Sequence, residues 1–220
     1  MIDDISILYE DNHIIAVNKK TSDIVQSDKT NDLSLSKKLK IFIKKKYFKK
    51  GNVFLGIVHR IDRPVSGVVL FAKTSKSLSR LNKLFKERDI EKTYFALVKK
   101  CPKKEEGTLK HFIYRNRKQN KSYSYDKEIA NSKLAIMHYY VKKKIKNKFL
   151  LEINLETGRH HQIRSQLSKI GSPIIGDVKY GFSFPNKNLG ISLHSKRIKF
   201  IHPVKKEEIE IIANLPKNFF

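Results

Sequence analysis

The sequence HRIDRPVSGVVLFA occupies residues 59–72 and joins a polar string to an apolar one. The second part, Val68 to Ala72, is a short continuous apolar run of the kind that forms a strand buried on both faces. The first part carries one carboxylate, Asp62, between the guanidinium groups of Arg60 and Arg63. We therefore predict a buried strand that is entered through a charged turn.

Strand patterns outnumber helix patterns along the rest of the chain. Helical spacing of apolar residues predicts a lysine-faced helix within residues 33–50, a second from 74 or 75 to 85, and a third from 159 or 160 to 170. We expect residues 101–133 to be exposed loops with one or two edge strands. The remaining strands are predicted at 7–10, 14–18, 94–98, 134–143, 148–155, 192–200 and 208–213. This pattern indicates an α+β fold with a largely antiparallel mixed sheet and flanking helices, in a single domain over residues 1–220.

The composition points to a polyanionic partner. Lys and Arg number 47 against 21 Asp and Glu, which leaves a formal net charge of +26. Such a field attracts nucleic acid, although the accompanying Asn, Ile, Tyr and Phe are also the mix expected of an AT-rich genome. The single cysteine, Cys101, excludes a disulfide framework and a multi-cysteine metal site, and no apolar run is long enough to cross a membrane. We expect a cytoplasmic protein that is monomeric without RNA.

Three motifs carry the groups that suit chemistry. Opposite charge on both sides of Asp62 favours an ionised carboxylate, which is a nucleophile or a base that needs no metal. The segment LETGRHHQIR, residues 155–164, joins a strand to a helix with added cations, an arrangement that binds phosphate. The segment KTYFA, residues 92–96, places Tyr94 either in the core or in a pocket. Taken singly, the first two motifs are also compatible with a buried ion pair and with an ordinary basic helix.

Together the motifs resemble the RluA-type family of RNA pseudouridine synthases. The family's catalytic signature matches residues 59–67 with one conservative change at Ile61, and its two further motifs match residues 92–96 and 157–164. The likeness continues over nearly the whole chain. It implies the pseudouridine synthase catalytic fold and an isomerase that detaches the uracil of a uridine, rotates it and rejoins it through carbon 5. No cofactor is required, because the reaction involves no redox change and no net hydrolysis.

The resemblance also assigns roles to single residues. Asp62 is the essential catalytic carboxylate, either as nucleophile or as base; Arg164 pairs with it, and Tyr94 stacks on the uracil. Arg60 fills the place of a base that is flipped out of its helix. From this pairing we expect the substitution Arg164→Met to reduce catalysis more than folding. The remaining predicted RNA contacts are Arg159 and Gln162, followed by Arg63, Lys73, Lys92 and Lys179.

The chain departs from the family pattern in places. It lacks the usual Pro and Gly in the segment from Lys19 to Ile24, it has Gln166 where a His is common, and we expect no separate RNA-binding module ahead of the catalytic domain. Structured ribosomal or transfer RNA is the predicted partner, and the basic surface with the helix at 33–50 is expected to contact it.

Two other functions are compatible with parts of the sequence. A non-catalytic RNA-binding or ribosome-assembly protein is one alternative, and a glycosidase using Asp62 and Glu156 is the other. No metal site is predicted, since the histidines lack Cys or acidic partners at ligand spacing; they are His59, His160 and His161.

Overall fold

The computed structural model describes residues 5–28, 30 and 32–220. These residues form two compact units, one comprising Met1–Ile90 and Ser195–Leu215 and the other Glu91–His194 and Pro216–Phe220. The single domain predicted over 1–220 stays a prediction, and residues 1–4, 29 and 31 lie outside the described ones. In chain order the elements are β1 (Ser6–Glu10), β2 (Ile14–Lys19), α1 (Leu35–Lys46), β3 (Gly56–Ile57), β4 (Ser66–Ala72), α2 (Ser75–Glu87), β5 (Ile90–Val98), β6 (Glu106–Asn116), β7 (Lys121–Tyr125), β8 (Ser132–Ile145), β9 (Lys148–Leu155), α3 (Gln162–Lys169), a 3-10 turn (Val178–Tyr180), β10 (Leu193–Ile201) and β11 (Glu208–Ile212).

The first unit is built on a sheet in the order β1-β2-β4-β10, with β3 beside β4 and β11 beside β10. Strands β1 and β2 form the predicted antiparallel hairpin, and β2 pairs antiparallel with β4 so that Lys19 lies opposite Gly67. Every residue of β4 is buried, which confirms the strand predicted from its apolar run. The core of this unit includes Ile14, Val68, Leu70, Leu81 and Ile198.

Two helices pack on the first unit at the predicted positions. In α1 the apolar residues Leu35, Leu39 and Ile43 are buried. The N-cap of α2 is Thr74, whose hydroxyl accepts a hydrogen bond from the backbone N–H of Ser77 at 3.1 Å. Both helices therefore follow from their apolar spacing, as predicted.

The second unit contains an antiparallel sheet in the order β5-β9-β8-β6-β7. The β8–β9 hairpin is confirmed, with its turn at residues 146–147. The prediction for 101–133 was wrong in one respect, because β6 pairs with both β7 and β8 and is not an edge strand. One face of an antiparallel sheet can be solvated, so a polar composition does not identify an edge. The α+β fold class is confirmed.

Helix α3 begins at Gln162, later than the predicted start at Arg159 or His160. His161 precedes the helix in a left-handed conformation, with φ of 52°. The loop ahead of the helix is closed by the side chain of Gln162 itself, which prevents the helix from extending towards its N-terminus. Among the described residues, no helix has the length and apolar character that crossing a bilayer requires.

Candidate active site

In the first unit, the side chain of His59 anchors the start of the signature. Its Nε2 atom accepts a hydrogen bond from the backbone N–H of Leu70 at 2.9 Å, in the middle of β4. Its ring stacks on Phe85 of α2, with a centroid separation of 5.0 Å and an interplanar angle of 22°. An accepting Nε2 means that a neutral ring carries its proton on Nδ1. His59 therefore ties the signature to the core of its unit.

The carboxylate residue Asp62 begins a tight turn. The backbone N–H of Val65 donates to the Asp62 carbonyl at 3.0 Å, and the chain enters β4 immediately afterwards. Gly67 has φ of +116°, and a Cβ there would overlap the backbone of Ser195. A glycine is required because β4 and β10 approach closely where the turn meets the sheet. The turn is thus held at a defined point of the sheet, with Asp62 partly buried.

A buried lysine, Lys19, supports the same turn. It is 1% exposed, and its ammonium donates to the carbonyls of Lys20 at 2.9 Å, Asp23 at 2.8 Å and Arg63 at 3.1 Å. Burial lowers the pKa of Lys19 to about 8, although the nearby carboxylates of Asp23 and Asp62 act to raise it. Lys19 therefore joins the end of β2 to the residue that follows Asp62. The family motifs did not identify Lys19 as a structural residue. The one indication in the sequence was a lysine at the end of an apolar strand.

Ser22 lies in the turn where the family usually has Pro and Gly. It adopts φ of 77°, and its backbone N–H donates to the same Arg63 carbonyl at 3.1 Å. The segment therefore forms a defined turn without either residue.

The buried charge of Lys19 predicts a dependence of stability on pH. Its folded-state pKa is about 8 against an ordinary value of 10.5, so its contribution to stability is complete above pH 10.5 and is lost as the pH falls through 8. The unfolding free energy of the wild type minus that of Lys19→Met should rise by roughly 3 kcal/mol between pH 8 and 10.5. Urea unfolding across this range measures the difference.

The matched control is Lys40→Met, which removes an exposed lysine of α1. Its difference from the wild type should stay flat over the same pH range. A flat difference for Lys19→Met as well would contradict the burial argument.

In the second unit, Arg164 is held in a buried ion pair. Its Nε donates to Oδ2 of Asp177 at 2.7 Å and its Nη2 to Oδ1 at 2.9 Å, and the two side chains are 6% and 1% exposed. The guanidinium carbon lies 4.9 Å from the centroid of the Tyr180 ring. Two parallel hydrogen bonds and an aromatic face define the orientation of the guanidinium. The sequence analysis did not identify Asp177. Its only distinguishing feature in the sequence is an acidic residue that follows Gly176 and precedes Tyr180 by three positions.

The Tyr180 hydroxyl connects this pair to the loop before α3. It accepts a hydrogen bond from the backbone N–H of Ser122 at 2.8 Å and lies 2.9 Å from Nδ1 of His161. The rings of His160 and His161 stack with a centroid separation of 3.8 Å. These histidines therefore pack within their unit, and no group of three potential metal ligands occurs among the described residues.

Gln162 closes the loop that precedes α3. Its side chain is 3% exposed; its oxygen accepts from Thr157 Oγ1 at 2.7 Å and from the Arg159 N–H at 2.9 Å, and its nitrogen donates to the Ile136 carbonyl at 3.1 Å. The RNA contact predicted for Gln162 remains a prediction, while the bonds described here shape the loop. One of these bonds also occupies the backbone N–H of Arg159, which is then not available to a phosphate. Arg159 itself is half-buried, with Nε donating to Leu134 O at 2.9 Å.

The other predicted RNA contacts differ in their exposure and in their ion pairs within the protein. Arg60 is exposed on the signature turn. Arg63 pairs with Asp32 at 2.7 Å in a largely solvated ion pair. Lys73, in contrast, is almost buried against Glu10 at 2.7 Å, which favours a structural role.

Three predicted site residues lie in the second unit outside the loop and α3. Tyr94 is 9% exposed on β5, and Lys92 is half-buried two residues earlier on the same strand. Lys179 is exposed and donates to the Asn120 carbonyl at 3.3 Å.

These features define a class of protein. Residues 13–169 match the model of the RNA pseudouridylate synthase family, and the chain belongs to that family. The resemblance drawn from the motifs is confirmed, and the protein is an RNA pseudouridine synthase and hence an isomerase.

Curated relatives carry the likeness over almost the whole chain. Ribosomal large subunit pseudouridine synthase C of Rickettsia prowazekii is 34% identical over an alignment of 220 positions that covers 97% of this chain and 69% of the relative. The protein of the same name from Buchnera aphidicola is 34% identical over 217 residues, covering 95% and 66% of the two chains. Among solved structures, human RNA pseudouridylate synthase domain containing 4 superposes with a TM-score of 0.81 at 23% identity, over 97% of this chain and 90% of that one. That structure shows the fold.

Proposed function

We propose that this protein isomerises one or a few uridines of large-subunit ribosomal RNA to pseudouridine. The observation that carries this choice is the 34% identity, over 97% of the chain, to relatives named ribosomal large subunit pseudouridine synthase C. The intact signature around Asp62 supports catalysis over the alternative of a non-catalytic RNA-binding or ribosome-assembly protein, since a pure binder has no need of a carboxylate facing a polyanion. Cytoplasmic location and a monomeric state remain part of the proposal, the latter because a net charge of +26 repels a second copy.

The reaction that we propose is balanced without a cofactor. The bond from the ribose C1′ to N1 of uracil breaks, the base rotates, and a bond from C1′ to C5 forms. The C5 atom loses one proton and N1 gains one, so the product is an isomer of the substrate. Asp62 initiates the reaction, either by attack on C1′ or by removal of a sugar proton. Its partly buried position on a braced turn supports this role.

Arg164 and Tyr94 complete the proposed catalytic set. The two bonds to Asp177 use Nε and Nη2 of Arg164, and Nη1 takes no part in either. By resemblance to the family, Arg164 assists Asp62 in the reaction, so Asp177 would orient a catalytic arginine. Tyr94, which is 9% exposed on β5, would stack on the flipped uracil.

The exposed arginines are the proposed contacts to the RNA around the target. Arg60 would occupy the space left by the flipped base, and Arg63 would bind a phosphate of the RNA; the half-buried Arg159 is a further proposed phosphate contact. Lys92 and Lys179 are retained as further contacts. The glycosidase alternative is disfavoured, because the Glu156 carboxylate lies 2.6 Å from Nε2 of His138 on an exposed surface.

Pseudouridine mapping of total RNA from cells with and without the gene tests the function. Carbodiimide adducts that stop reverse transcription should disappear at one or a few uridines of large-subunit ribosomal RNA in the deletion strain. If the stops disappear only in transfer RNA, the proposed reaction is correct and the proposed substrate is wrong. If no site disappears and the purified protein leaves unmodified total RNA unchanged, the proposed function is wrong.

A further inference from the structure

One face of α1 carries a lysine ridge, which we define as Lys37, Lys40 and Lys44. Residues 33–50 contain eight lysines and no acidic residue. Because Leu39 and Ile43 are buried in the unit, helical periodicity places the ridge on the opposite, solvated side, and its three lysines are exposed. The ridge extends about 10 Å along the helix.

Ion pairs among the residues that the structure describes do not account for the ridge. Two neighbouring lysines are paired, with Lys38 at 2.7 Å from Asp23 and Lys46 at 2.6 Å from Glu10. Within the described part of the chain, no ion pair involves a lysine of the ridge. A cation near the C-terminus of a helix is favoured by the macrodipole, but Lys37 lies in the first turn, where a cation is disfavoured. Lys37 therefore lowers the stability of the helix in the absence of an anion.

An aromatic ring projects just beyond the end of α1. Phe48 is 90% exposed and has φ of 48°, a left-handed conformation that is unfavourable for a bulky residue. The preceding residue, Tyr47, is anchored by a hydrogen bond from its hydroxyl to Glu10 at 2.9 Å, and the ammonium of Lys73 lies 4.8 Å from its ring centroid. Phe48 thus projects into solvent from a fixed base and gains little from burial.

We propose that the lysine ridge and Phe48 bind a single-stranded segment of the substrate RNA, in addition to the contacts made by the motif residues. The lysines neutralise successive phosphates, and Phe48 stacks on an unpaired base. Charge complementarity selects a polyanion, and the exposed ring selects one with accessible aromatic bases. A membrane surface is disfavoured because the apolar face of α1 is already buried in the core. The inference rests on the proposed RNA substrate.

Matched charge variants test the ridge. The triple variant K37Q/K40Q/K44Q is compared with K76Q/K83Q/K86Q, which removes three exposed lysines from one face of α2 and lowers the net charge equally. Fluorescence anisotropy with a 20-nucleotide oligouridylate measures binding at several KCl concentrations. The ridge variant should bind at least tenfold more weakly at 100 mM KCl, with its salt slope reduced by about 2. The α2 variant should stay within threefold of wild type, and equal losses in both would overturn the proposal.

The variant Phe48→Asn isolates the stacking contact. Asparagine tolerates the left-handed conformation, so the thermal midpoint should be unchanged or raised. Binding of the oligouridylate should weaken about five- to tenfold, while binding of a 20-base-pair RNA duplex should not change. An unchanged affinity for the oligouridylate, or an equal loss on the duplex, would exclude stacking by Phe48.

These binding measurements are independent of pseudouridine formation. If the ridge variants behave like wild type while mapping still finds lost uridines, only the docking surface is wrong. If the ridge binds RNA as expected and no uridine is lost, only the proposed function is wrong.

Discussion

We expect the substitution Asp62→Asn to abolish pseudouridine formation while RNA binding is retained. It replaces one oxygen by nitrogen with almost no change of volume, so the turn closed by the Val65 N–H should persist. The amide is neither a competent nucleophile nor a base, and we expect the single-turnover rate to fall at least about 10³-fold. Removing a negative charge that faces phosphates does not weaken attraction, so the dissociation constant for unmodified ribosomal RNA should be equal or lower.

The control for this variant is Asp89→Asn, which makes the same change of charge at an exposed position of the same unit. Its rate and its affinity should match the wild type. Near-normal turnover by Asp62→Asn would remove Asp62 from the mechanism, whereas loss of binding and activity together would indicate a damaged fold.

The buried pair of Arg164 and Asp177 gives the largest expected effect on stability. From the sequence, Arg164→Met is expected to affect catalysis more than folding. The ion pair changes that expectation, because truncating Arg164 leaves the carboxylate of Asp177 at 1% exposure without its bidentate partner. We now expect Arg164→Met to lower the free energy of unfolding by about 3–5 kcal/mol as well as reducing activity. Urea unfolding and a single-turnover assay measure the two effects.

A double variant separates the structural and catalytic parts of this loss. In Arg164→Met/Asp177→Leu both charges are replaced by apolar groups, so stability should return to within about 2 kcal/mol of wild type while activity does not recover. Lys169→Met is the control in the same unit, since it breaks a solvated pair with Asp126 and should change stability by about 1 kcal/mol or less. Recovery of activity in the double variant would show that Arg164 has only a structural role.

Periodicity in the sequence predicted the elements whose burial pattern is local. The continuous apolar run of β4 and the apolar spacing in α1 and α2 each specify one element without reference to distant residues. The start of α3 and the interior position of β6 were predicted wrongly. Both depend on partners elsewhere in the chain, since Gln162 bonds to the Ile136 carbonyl and β6 lies between two other strands.

The family and the candidate carboxylate were determined by sequence alone, because the three motifs are contiguous strings of residues whose order is visible in the chain. The tertiary structure decided what supports them. Lys19 reaches the carbonyl of Arg63 across 44 positions, and Arg164 meets Asp177 across 13. Neither Lys19 nor Asp177 can be distinguished in the sequence from the other lysines and aspartates, because only folding buries them. Burial turns such ordinary charges into fixed supports, because a desolvated charge is stable only beside groups that replace its hydration.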